Sequence, residues 1–151
     1  MRQEEPGLTM EQAGGPNDHD IVLTATLSGS TISISCTSGD PGPTIARGSP
    51  AQHFSFTLQD NTGHNVQFAS LDTQDGWSSC PPPSGDNSGQ ISGVQMHNGQ
   101  PLPRNAAFTD NNNNQGSNGT LDVCYQWNFG CDDPSITVGS FDPIIKNGGS
   151  S

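Results

Sequence analysis

The side chains in this chain that are best suited to binding a cation are the oxygen-bearing residues of the segment 110–116. Carboxylate and amide oxygens follow one another there, as they do in calcium-binding loops. An EF-hand loop, however, requires Gly at its sixth position and Glu at its twelfth. Here Gly116 is the seventh residue and Leu121 the twelfth, so an EF-hand is excluded. The pattern leaves a looser divalent-cation site as a prediction, with Asp110, Asn112 and Asp142 as its oxygen ligands.

The four cysteines of the chain allow three different sets of disulfides. Cys124 and Cys131 would lie about 23 Å apart on a straight strand, whereas a disulfide needs Cα atoms within about 7 Å. We therefore expect the pairs Cys36–Cys124 and Cys80–Cys131 if the protein is oxidised. The alternative is four free thiols, as is usual in the cytosol. No two cysteines have the close spacing of a structural zinc site.

Other ligand and nucleophile patterns are incomplete. A blue-copper site needs two His, one Cys and usually an axial Met. His53 and the pair Met96-His97 are present, but no His follows Cys124 at the next few positions. A Gly-Asp-Asn-Ser-Gly sequence at 85–89 resembles a serine nucleophile loop only with an interrupting Asn, and a Gly/Asp/Asn/Ser loop is the simpler interpretation. We therefore predict no catalytic residue.

Trp77 lies in the polar segment Asp75-Gly-Trp-Ser. A tryptophan among polar residues is either a partly buried loop anchor or a platform on which a ring or a sugar stacks. Both interpretations place it in a loop. Together with Asp110 and Asn112, Trp77 is our predicted binding residue.

The net charge of −11 arises from 15 acidic and 4 basic residues. Nucleic-acid binding depends on Lys and Arg that neutralise phosphates, so this charge disfavours nucleic-acid partners. It disfavours anionic membrane surfaces for the same reason. No apolar run approaches the roughly 18 residues of a membrane span. The partner that remains is a protein or a small ligand.

The N-terminal residues 1–19 are rich in Glu, Gly and Pro, which is typical of a disordered acidic leader. They lack the charged start and apolar middle of a signal peptide. We therefore expect a cytoplasmic protein, or a secreted one whose signal has been removed.

The rest of the chain, residues 20–149, has the alternating pattern of short β-strands. Apolar and polar residues alternate over 21–36 around Ser28-Gly-Ser30, which predicts a β-hairpin. A second alternation over 54–68, around Asp60-Asn-Thr-Gly63, predicts another. No segment has helical periodicity. The predicted fold is all-β: one β-sandwich, immunoglobulin-like or cupredoxin-like, with long polar loops.

The clearest strand pattern begins after residue 121. Val123, Tyr125, Trp127 and Phe129 share one phase of an alternating strand, so we expect these four side chains to form the centre of the core.

Four short patches of the chain resemble the bacterial DP-EP family. They are Phe141-Asp-Pro-Ile-Ile-Lys-Asn-Gly-Gly149, Val123-Cys-Tyr-Gln-Trp-Asn-Phe129, Cys80-Pro and Phe108-Thr-Asp-Asn-Asn112. The resemblance in layout extends over roughly 21–149. It implies a small bacterial β-domain, but it assigns no catalytic residue.

These observations predict a non-enzymatic β-sandwich that binds another molecule through its loops, without a cofactor. Recognition is commonly placed on loops that a rigid sandwich holds. Two alternatives stay open. One is a metal-dependent or redox protein with a loop-based site, and the other is a structural protein that assembles with itself.

Overall fold

A computed structural model describes residues 17–76, 81–99, 104–112 and 121–149. It confirms the predicted all-β class and the sandwich. The strands are β1 Asp18–Ser28, β2 Thr31–Ser38, β3 Thr44–Ala46, β4 Gln52–Asp60, β5 Gln67–Asp75, β6 Ile91–His97, β7 Arg104–Asp110, β8 Leu121–Gly130, β9 Thr137–Val138 and β10 Ile144–Gly149. Among these residues no helix is long and apolar enough to cross a membrane.

The strands form two sheets that pack face to face. One has six strands in the order β6-β7-β4-β1-β2-β9, and the other has four in the order β3-β10-β8-β5. The pairs β1–β4, β2–β9 and β3–β10 are parallel, and the other named pairs are antiparallel. The parallel pairs arise because the chain repeatedly crosses from one sheet to the other between strands.

The first predicted hairpin is confirmed. β1 and β2 pair antiparallel up to Ser28 and Thr31, with Gly29 in the turn. Gly29 has φ of 62°, a conformation that glycine adopts without the steric penalty of a side chain. β1 begins at Asp18, two residues before the predicted start of the domain.

The second predicted hairpin is wrong, because β4 and β5 belong to different sheets. Both edges of β4 are taken, one by β1 and the other by β7. The loop between β4 and β5 carries the chain across the sandwich instead. Asp60 holds this loop by accepting hydrogen bonds from the backbone N–H groups of Thr62 (2.9 Å) and Val66 (2.8 Å).

Aromatic rings from both sheets fill the centre of the sandwich. Phe56 of β4 lies 5.9 Å from Tyr125 and 5.5 Å from Trp127, centroid to centroid, in edge-on contacts. Val123, Tyr125 and Trp127 are fully buried, as predicted. Phe129 is only half-buried, although it packs against the core. Such ring pairs add specific geometry to the burial of apolar area.

Cys124 lies on the face of β8 opposite to that of Tyr125 and Trp127, but its side chain is also fully buried. The alternation of β8 predicted that its side chain would face the opposite side from Tyr125. Burial on both sides of a strand shows that the outer face of β8 is covered at this position.

Candidate functional site at the base of the sandwich

Buried polar side chains are concentrated at one end of the sandwich, the end at which β4 begins and β7 ends. We call this end the base and define it by Gln52, Gln90, Asp110, Asn112 and Asn147. Each is more than nine-tenths buried. Buried polar groups are stable only when they are hydrogen-bonded, so the partners of these side chains define what the base does.

Asp110 and Asn147 connect the two sheets. Asp110 ends β7 in the six-stranded sheet, and Asn147 lies in β10 of the four-stranded sheet. The Asn147 side-chain amide donates to Asp110 Oδ1 at 2.6 Å, and the backbone N–H of Asn112 donates to the same oxygen at 3.2 Å. Within the described residues, Asp110 Oδ2 and Asn147 Oδ1 are buried and have no hydrogen-bond partner.

The environment of Asp110 raises its pKa above that of an ordinary carboxyl group. Burial is the largest cause, because it disfavours the ionised form. The hydrogen bonds from Asn147 and Asn112 and the charge of His19 act in the opposite direction, and Asp75 adds to the rise. Asp110 is therefore easier to protonate than an exposed aspartate.

Asn112 holds the loop between β3 and β4. Its side-chain amide donates to the backbone carbonyls of Ala46 and Ser49, each at 3.1 Å. Asn112 itself has φ of 53°, a left-handed conformation that Asn tolerates better than most residues. One amide thus fixes two points of a neighbouring loop.

Gln52 has a similar role at the start of β4. Its amide nitrogen donates to Pro50 O (2.7 Å) and to Asn17 Oδ1 (3.1 Å). Its amide oxygen lies 2.7 Å from His19 Nε2. The His19 ring in turn stacks on Phe54, with centroids 4.5 Å apart. Gln52 thereby connects the N-terminal end of β1 to the β3–β4 loop.

The segment before β6 is fixed to β5 by a second set of contacts. Thr73 Oγ1 donates to Asp86 Oδ1 at 2.6 Å and accepts from the backbone N–H of Ser88 at 2.8 Å. Asp75 accepts from Ser88 Oγ and from the backbone N–H of Gly89. The polar sequence predicted as a loop is thus an ordered segment along the edge of β5.

The predicted binding residues are only partly brought together. Asp110 and Asn112 both belong to the base, whereas Trp77 lies outside the described residues. Asp142 is exposed and precedes β10 by two residues. From Ile144 to Asn147, β10 already spans about 10 Å, so Asp142 is carried away from Asp110.

The base is poorly suited to a calcium-type ion. Calcium takes six to eight oxygen ligands, but only two oxygens at Asp110 and Asn147 lack partners. In the part of the chain that the structure describes, no group of three His, Cys, Asp or Glu side chains is placed to hold a metal ion. The divalent-cation site therefore gains no support from the arrangement of Asp110, Asn112 and Asp142.

The predicted disulfides are also not made. Cys36 and Cys131 are free thiols, so the pairings Cys36–Cys124 and Cys80–Cys131 are wrong. Each free thiol lies within hydrogen-bonding distance of a backbone carbonyl, Cys36 that of Ser38 and Cys131 that of Asp133. Cys124 is disulfide-bonded, and Cys80 lies outside the described residues.

Three residues of the base were missed by the sequence analysis, although a signal for them exists. Gln52 is in phase with Phe54 and Phe56, and Asn147 is in phase with Ile145. An amide that continues the inward phase of a strand at its end is expected to be buried. Gln90 offers no such signal, because it precedes β6 rather than lying within it.

A shallow cavity of about 240 Å³ lies at the opposite end of the sandwich. Asn65, Phe68 and Cys131 are among the residues that line it. Behind it, the buried Arg104 donates to Asn65 Oδ1. On the exposed side, His64 and Asp132 lie 3.4 Å apart. The cavity holds no cluster of catalytic groups among the described residues.

Comparison of the chain with models of known protein families, and with curated proteins, finds no match.

Proposed function

We propose that this protein is a non-enzymatic binding module that recognises another molecule through the loops at its base. The observation that supports this most strongly is the way buried side chains hold those loops. Asn112 fixes the β3–β4 loop at two carbonyls, and Gln52 fixes the same loop at Pro50. Loops that are ordered before binding lose less conformational entropy on binding.

The composition around the base favours a polar, uncharged ligand. The chain segments there are rich in Asn, Gln, Ser and Gly. The N–H of Gly76 donates to the Asp122 carbonyl of β8, and Trp77 is the next residue in the sequence. Side-chain amides and hydroxyls donate and accept hydrogen bonds as sugars do, and an aromatic ring stacks on a sugar face. Neutral oligosaccharides are therefore the first ligand class to test.

The test is calorimetric titration with a panel of soluble neutral oligosaccharides. We expect at least one to bind, and we expect Trp77→Ala to weaken that binding at least tenfold. Asp132→Asn, an exposed substitution at the opposite end, is the matched control and should bind as the wild type does. Equal affinity in the Trp77→Ala protein, or no heat from any member of the panel, would count against the proposal.

Self-assembly is the second candidate, favoured by β6. This strand forms an outer edge of the six-stranded sheet, and its Met96 is 41% exposed. Exposed edges pair readily with other strands, although the irregularity near Gly93 is of the kind that discourages such pairing. Sedimentation velocity over a hundredfold concentration range tests this, and a monomer throughout would exclude it.

Two further expectations remain proposals. A metal-dependent or redox function is tested by elemental analysis of the purified protein, where stoichiometric metal would favour it over a plain binding module. Membership of the DP-EP family rests on the four sequence patches alone.

A further inference from the structure

Two buried oxygens at the contact between Asp110 and Asn147 lack a hydrogen-bond donor among the described residues. An ionised Asp110 carboxylate can only accept hydrogen bonds, and so can the amide oxygen of Asn147. The Asn147 amide nitrogen already donates to Asp110 Oδ1 at 2.6 Å. Among the described atoms, nothing donates to the two buried oxygens left over, Asp110 Oδ2 and Asn147 Oδ1. Buried acceptors without a donor are rare in folded proteins.

One added proton would give both of these oxygens a hydrogen bond. We propose that Asp110 is a neutral carboxylic acid in the folded protein over a pH range in which the exposed aspartates are ionised, and that its O–H donates to Asn147 Oδ1. The two side chains then exchange two hydrogen bonds across the sandwich. The proton is taken up from solvent as the chain folds, and no other reactant is needed.

The neighbours of Asp110 are consistent with a neutral acid. Among the described residues, the titratable groups that act on it are His19 from β1 and Asp75 from β5. The uncharged neighbours are Gln52 of β4, Gln90 directly before β6, and Asn147 of the facing β10. Burial, the largest influence, raises the Asp110 pKa.

A metal ion is a weaker explanation of the same two oxygens. The other carboxylate that acts on Asp110 is that of Asp75, and both of its oxygens already accept hydrogen bonds, from Ser88 and Gly89. Two free oxygens cannot supply the ligand number that calcium requires. Protonation of Asp110 needs no further ligand, because the new O–H is the donor and Asn147 Oδ1 is the acceptor.

The consequence is a proton-linked connection between the two sheets. An acid with a raised folded pKa keeps its proton while the unfolded chain releases it, so stability falls as pH rises from about 3.9 through the folded pKa. Asn112 follows Asp110 by two residues and holds the β3–β4 loop. Ionisation of Asp110 should therefore loosen the base, and acid should tighten it.

The test compares the wild type with Asp110→Asn by chemical denaturation between pH 4 and pH 8. An asparagine keeps a donor facing Asn147 Oδ1 but cannot ionise. We expect the ratio of the folding equilibrium constants, wild type to variant, to fall as pH rises, by up to tenfold per pH unit. A ratio that stays constant, or that rises with pH, would overturn the proposal.

Asp132→Asn is the control, because it makes the same substitution at an exposed carboxylate of the opposite end. The ratio of the folding equilibrium constants, wild type to Asp132→Asn, should not fall with pH as the ratio for Asp110→Asn does. A further experiment repeats the denaturation at pH 7 with calcium chloride added. Stabilisation of the wild type but not of Asp110→Asn would overturn the proposal in favour of a bound cation.

A measurement on the wild type avoids any failure of the variant to fold. In a carbon-13 titration of the aspartate carboxyl carbons, the Asp110 signal should change at higher pH than that of an ordinary aspartate carboxyl, whose pKa is about 3.9. If the Asp110 carbon titrates together with the exposed aspartates, the proposal is wrong.

Discussion

At the scale of single residues, a buried side-chain amide can hold two chain segments at once, because it has two N–H donors and one acceptor oxygen. Gln52 and Asn112 both use this capacity on the β3–β4 loop. From the sequence, Asp110 and Asn112 are predicted ligands of a looser divalent-cation site because of their oxygens. In the structure, the side-chain nitrogen of Asn112 holds the β3–β4 loop, and Asp110 is buried.

Asn112→Ala should destabilise the protein by about 1–3 kcal/mol, because it removes the side-chain donor to the Ser49 carbonyl and one of the two donors to the Ala46 carbonyl, which also accepts from the Ser49 N–H. The left-handed backbone of Asn112 adds to this cost, since alanine adopts φ near 53° less readily. Denaturant unfolding provides the measurement. Asn111→Ala is the control, since among the described residues the Asn111 side chain makes exposed hydrogen bonds with Ser92, and an equal loss in both variants would contradict the assignment.

Tyr125→Phe should also be destabilising, by about 1–3 kcal/mol, because the buried hydroxyl donates to Pro41 O at 2.6 Å and its loss leaves that carbonyl unpaired. This bond attaches the β2–β3 crossover to β8. Thermal unfolding at a single pH checks it. A variant as stable as the wild type would show that the crossover is held by other contacts, such as the close approach of Gly39 to the Asp20 carbonyl.

At the scale of elements, alternation predicted where strands occur better than it predicted which strands pair. The β1–β2 turn is two residues long, so its strands have no other arrangement, and the prediction was right. The β4–β5 connection is longer, and β7 and β1 compete for the edges of β4. Competition between distant strands is a property of the whole chain, which local periodicity does not contain.

Asn98 protects the edge of β5, which predicts a local effect on that strand. The side chain accepts from the Phe68 N–H at 3.1 Å and donates to the Phe68 carbonyl at 2.9 Å, as a neighbouring strand would. Asn98→Ala should therefore speed hydrogen exchange at the Phe68 amide by at least tenfold. The Leu71 amide, farther along the strand, is the internal reference, and an unchanged Phe68 rate would contradict the assignment.

At the scale of the whole molecule, the cysteines give a countable prediction. The chain has four, of which Cys36 and Cys131 are free and Cys124 is disulfide-bonded. Alkylation of the unfolded, unreduced protein should therefore modify Cys36 and Cys131 but not Cys124, and reduction should make Cys124 reactive. Four reactive thiols before reduction would contradict this and would favour a reducing compartment.

The class of fold could be predicted from the whole sequence, but the base could not. The alternation along a strand identifies which face of the sheet a residue occupies, and this is enough to predict that Val123 and Trp127 are buried. The base depends on where strand ends from two sheets meet, as Asp110 and Asn147 do across 37 positions of sequence. No single segment carries that information.

We expect the buried polar side chains to hold the base as firmly as the aromatic core holds the centre. Native-state hydrogen exchange measures this residue by residue. We predict that the amides of Ser88, Gln90 and Asn111 exchange nearly as slowly as that of Trp127 in the core, because they donate to Thr73 Oγ1, Ser88 Oγ and the Gln90 carbonyl, in or next to the base. Exchange of these three amides at the rate of an open loop would show that the base is not held in this way.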